Sequence, residues 1–100
     1  MANNREHIER IQLTVEHLHR CKAHHCATIP VHEVFRGQTV WKGDVEEFTL
    51  TGHPKATTAY GWTEGEGAKE RFFAVLELPP IKSALDAVRA SIVADSKKKN

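Results

Sequence analysis

The hydrophobic rhythm of this chain changes twice, and those changes limit what it can fold into. From Arg5 to about Cys26 there is neither Pro nor Gly, and Ile8, Ile11, Val15 and Leu18 recur at three- and four-residue spacing. That spacing puts them on one face of a helix. Asn3 or Asn4 can cap its start, Glu6 and Glu9 suit the positive end of its dipole, and Thr28-Ile29-Pro30 should end it. From Ile29 the residues become β-branched and aromatic, with Gly at intervals. This is the texture of strands and turns.

Val31 to Arg36, Thr39 to Lys42 and Val45 to Thr51 read as strands, with Gly37-Gln38 and Gly43-Asp44 as tight connections. The strand between those glycines is short enough to be half of one longer, bulged strand. After Gly52-His53-Pro54, Thr57 to Thr63 and Arg71 to Leu78 read as two more, joined by Glu64 to Glu70. Pro79-Pro80 stops the last. Ser83-Ala84-Leu85-Asp86 then resembles a capping box with Asp in the usual place of Glu, and opens a second helix running to about Asp95. A polar, Lys-rich tail begins near Ser96. The expected fold is one α+β domain over residues 1–100, an antiparallel sheet of four to five strands flanked by an N-terminal and a C-terminal helix.

Composition bounds the function. One hundred residues can bury about two-thirds of the unfolded surface in one core, too little for two. Fourteen Lys and Arg against thirteen Asp and Glu leave a net charge of +1, which gives no broad attraction for nucleic acid or anionic membrane. No apolar run approaches the length of a membrane span, and the first residues lack the apolar stretch of a secretory signal, so a cytoplasmic protein is expected. Cys21 and Cys26, five apart on a helix, point in different directions and should stay reduced.

Three groups of residues could carry chemistry. His17, Cys21 and His24 fall within roughly 60° of one another on a helix, and imidazole with thiolate is a donor set that zinc prefers. No paired Cys-x-x-Cys accompanies them, and a surface helix carrying several histidines, with Cys21 packed at a boundary, explains them without a metal and is the simpler reading. His53 could act in acid/base chemistry if Glu47 or Glu33 lay within hydrogen-bond reach; otherwise it belongs to a turn. Trp41, Tyr60 and Trp62 could wall a ligand pocket with His53 and Glu47, or pack in a core or an interface. Nucleotide hydrolysis is disfavoured, because no phosphate-cradling Gly loop is present and Gly65-Glu66-Gly67 carries acidic charge. Apolar side chains on both faces of Arg71 to Leu78 ask for a cover that two short helices on one side would not supply, which points to a homodimer. The expectation is a homo-oligomeric binding module for a small molecule or protein partner, with an acid/base enzyme at His53 or a metal-binding protein as alternatives.

Overall fold

A computed structural model describes residues 4–98. Helix α1 (Asn4–His19) leads into four strands, β1 (Lys22–Phe35), β2 (Gln38–Thr51), β3 (Thr58–Glu64) and β4 (Arg71–Leu76), and helix α2 (Ala84–Lys98) closes the chain. The strands form one antiparallel sheet in the order β1-β2-β3-β4. The α+β architecture expected from the periodicity is the one found. Asn3, a candidate cap, and the end of the Lys-rich tail lie outside the described residues; the α2 backbone stays helical through Lys98, past the expected end at Asp95.

The two helices lie on opposite faces of the sheet. Ile11 and Val15 of α1 pack with Ala23, Phe48, Leu50 and Ala59, and Phe72, Ala74 and Leu76 join them. Ala84, Ala87 and Val88 of α2 pack with Val31, Val45, Tyr60 and Trp62, and Phe73 and Val75 join those. The alternating side chains of β4 thus divide between two cores. Its two-sided hydrophobicity is answered within one chain, which removes the reason for expecting a second copy on that strand.

α1 ends seven residues before the expected limit of Cys26. Arg20 adopts a left-handed conformation with φ 53°, and the Cys21 amide donates back to the Glu16 carbonyl at 3.3 Å. This is a Schellman-type stop, in which the residue past the helix usually is Gly. Arg in that place gives no sequence signal, so the helical run read on into what is the start of β1. Leu18, assigned to the buried face, is 59% exposed near that stop.

The two strands expected across Gly43 are one. Gly43 pairs with Val31 in mid-strand, and the Trp41 ring lies over it, so that a β-carbon there would come 3.1 Å from the ring. The glycine makes room for an indole and not for a corner. The real corner is Arg36-Gly37, both at positive φ between the paired Phe35 and Gln38, as a two-residue type I′ hairpin requires. At the other end of the sheet, the expected capping box forms with one change of partner: Asp86 N–H donates to Ser83 Oγ at 3.1 Å, but Asp86 Oδ2 accepts at 3.0 Å from the amide of Lys82, one residue before the cap.

Candidate functional site

The pairing of β1 with β2 slips by one residue between His25 and Ala27, leaving Cys26 as a bulge. Residues three apart on a strand normally face opposite ways; the extra residue brings His25 and Thr28 to the same face, beside Glu46 of β2. Glu46 Oε1 accepts from His25 Nε2 at 2.8 Å and from the Thr28 hydroxyl at 2.5 Å. Glu46 is in phase with the buried Phe48 and Leu50 and is itself only 5% exposed. Burying a carboxylate is costly unless donors meet it, and these two do.

The other wall comes from α1 and β3. Gly61, the cross-strand partner of Glu46, lets Ile11 come down onto the sheet, and His7 lies one turn before Ile11 on the same helical stripe. His7 Nε2 therefore sits 3.4 Å from the hydroxyl of Thr63, two residues along β3 from Gly61. Between these elements lies a cleft of about 290 Å³, walled by His7, Ile8, Thr28, Asp44, Glu46 and Thr63. It is well enclosed, and its lining is more polar than apolar. A wider hollow, about 870 Å³, is a shallow, mainly apolar groove beside the end of α1.

Of the residues singled out in the sequence, His53 is on the α1 side, its ring 6.4 Å from that of His19. Its Nδ1 accepts the amide hydrogens of Lys55 and Ala56, both at 3.0 Å, so it staples the turn after Gly52 and keeps its own proton on Nε2. Trp41, Glu47, Tyr60 and Trp62 take the α2 side of the sheet. The structure does not bring His53 together with them.

The tryptophans share an acceptor: Trp41 Nε1 and Trp62 Nε1 donate to the same Glu64 oxygen at 2.9 and 3.0 Å. Trp62 also stacks on Phe73, with centroids 5.3 Å apart and planes within 2°. Tyr60 donates to Glu77 at 2.6 Å, and burial, followed by that carboxylate, holds its phenol well above the usual range. Tyr60 edges a hollow of about 350 Å³ beside the start of α2, but its hydroxyl is already committed. These aromatic residues are core of the α2 side.

His17 and Cys21 border the apolar groove by the end of α1. His24 follows the buried Ala23 on β1 and so takes the other side of the strand. The three do not converge, and among the described residues no three His, Cys, Asp or Glu side chains are grouped to hold a metal ion. Both cysteines are free thiols. Five residues of nearly extended chain separate them by roughly 16 Å, well beyond disulfide reach. Burial, then Glu16, pushes the Cys21 thiol upward, whereas Cys26 is exposed.

Sequence reasoning passed over Glu46 as a wall of the cleft, and His25 as the partner that holds it. The available signal was phase: Glu46 alternates with Phe48 and Leu50, where an apolar residue belongs. No helix among the described residues is long and apolar enough to cross a membrane. Comparison of the chain with protein-family models, with curated proteins and with solved structures finds no match.

Proposed function

We propose that this protein is a binding module that takes a small polar molecule into the cleft at Glu46. One observation carries the reading: a carboxylate 5% exposed forms part of the wall of an enclosed polar cleft. An apolar side chain in phase with Phe48 and Leu50 would serve stability better there, since a buried charge opposes folding. The placement gains a rationale if a ligand uses the carboxylate. Acid/base chemistry, the alternative, belongs with His25, whose ring Glu46 orients, and not with His53, whose Nδ1 is occupied by its turn. Zinc on His17, Cys21 and His24 is the weaker reading, because the three lie apart. Two free thiols suit a reducing compartment such as the cytoplasm.

The test is an NMR screen of small polar compounds against the full chain and its Glu46→Gln variant. Hits should shift the amides of Thr28, Glu46 and Thr63 and weaken in the variant. A screen in which nothing perturbs those amides overturns the reading.

Self-association finds its support at the free end of the β1–β2 ribbon. Val34, Phe35 and Val40 are 48%, 62% and 47% exposed there, in a hairpin whose outer half β3 does not pair. Sedimentation equilibrium of the chain and of Phe35→Lys tests it: a dimer that the substitution dissociates supports this surface, and a monomer at all micromolar concentrations removes it.

A further inference from the structure

We propose that the ligand of the Glu46 cleft is a compact organic cation carrying several N–H hydrogens, a guanidinium, amidinium or primary ammonium group. This rests on the binding reading above and assigns its chemical class. The cleft offers acceptors. Glu46 and Asp44 are two residues apart on β2 and so share a face, which places two carboxylates along one wall. The single hydrogen of the Thr28 hydroxyl is spent on Glu46, leaving its lone pairs for anything that enters. Both donors on Glu46 converge on one oxygen, Oε1.

The wall contains neither Lys nor Arg. An anion would meet two carboxylates with no Lys or Arg to offset them, while His25 is already engaged with Glu46 and His7 with Thr63. A neutral polyol would displace water from those carboxylates without returning charge. A cation with hydrogens on more than one edge answers both, because charge-assisted bonds to carboxylates are shorter and stronger than neutral ones, and a planar guanidinium fits a carboxylate with two at once. Ile8 supplies an apolar surface for the carbon stem. The cleft is small by the standard of ligand sites, which favours a compact group with a short stem.

The experiment titrates the full ¹⁵N-labelled chain with agmatine and with 4-aminobutanol, and in parallel with 1,4-butanediol, succinate and magnesium ion. The two cations should produce saturable shifts in Ile8, Thr28, Asp44 and Thr63, and the diol, the dianion and the metal should not. Glu46→Gln keeps a carbonyl for His25 and Thr28 while removing the charge, and should weaken agmatine roughly tenfold. Asp44→Asn, on an exposed residue, should weaken it without disturbing the fold, so the test does not depend on the buried substitution alone. Shifts of the same amides by butanediol, succinate or magnesium at equal or lower concentration overturn the cation assignment and leave the cleft a binding site. Agmatine affinity unchanged in both variants also overturns it. Cations that leave the cleft amides unmoved overturn it as well, and the binding reading itself then stands or falls on the broader screen.

Discussion

Gly61 and Ile11 meet so closely that a β-carbon on the glycine would lie 2.4 Å from Ile11 Cγ2. Ile11 is fully buried and, being β-branched, stiff about χ1, so α1 itself would have to lift. Gly61→Ala should therefore destabilise the chain by about 1–3 kcal/mol in urea unfolding, the usual cost of overpacking a core. Combined with Ile11→Ala, which removes the clashing methyl, the cost should fall short of the sum of the two single changes. Strict additivity would mean that the two residues do not touch.

Arg20 carries the left-handed turn that ends α1. A residue with a β-carbon is held there at about 1–2 kcal/mol. Arg20→Gly should raise stability by about 1 kcal/mol, once the added freedom of glycine in the unfolded chain is deducted. Arg20→Ala removes the same charge and keeps the β-carbon, and should not raise the Tm. A gain in both variants would assign the effect to charge.

Glu64 accepts both indole hydrogens on one oxygen. Glu64→Ala leaves the N–H of the buried Trp62 without its acceptor, at a cost of about 1–3 kcal/mol. Glu64→Gln retains a carbonyl and should cost less. Denaturant melts followed by tryptophan emission measure both, and equal losses in the two variants would count against the shared acceptor.

Glu33 and Arg89 tie β1 to α2 through a two-pronged ion pair, the second prong from Arg89 Nη2 to Glu33 Oε1 at 3.2 Å. The hydrogen bond from Arg89 outweighs desolvation and holds the Glu33 carboxyl below its ordinary value of 4.5. The folded chain thus binds that proton less readily than the unfolded one. The stabilisation is complete above the ordinary value and is lost as pH falls through the lowered one. Glu33→Gln should lower the Tm modestly at neutral pH, as the pair is exposed, and the gap from the parent should close in acid. A gap independent of pH would deny the pair this role.

What the sequence revealed and what it hid follow from where the information lies. The start of α2 was legible because Ser83 and Asp86 act on neighbouring backbone, within the reach of a local motif. The end of α1 was not, because Arg20 takes a conformation that its residue type does not announce. Gly43 and Gly61 look alike in a sequence, yet one lies under an indole of its own strand and the other against a helix fifty residues earlier. The cleft depends on such distant meetings: a bulge at Cys26 turns His25 and Thr28 toward Glu46, and a missing side chain at Gly61 lowers His7 toward Thr63. Only the misplaced phase of Glu46 could have hinted at it.

Both tryptophans of the chain are on the α2 side of the sheet, so its near-ultraviolet optics are partisan. Fluorescence follows the half of the molecule that contains Val88 and Tyr60 and is nearly blind to the half that contains Ile11 and the cleft. Far-ultraviolet circular dichroism sees both helices alike. If α1 peels away before α2, the two signals will melt at different temperatures, and a ligand that seats at Glu46 will move the dichroic transition more than the fluorescent one.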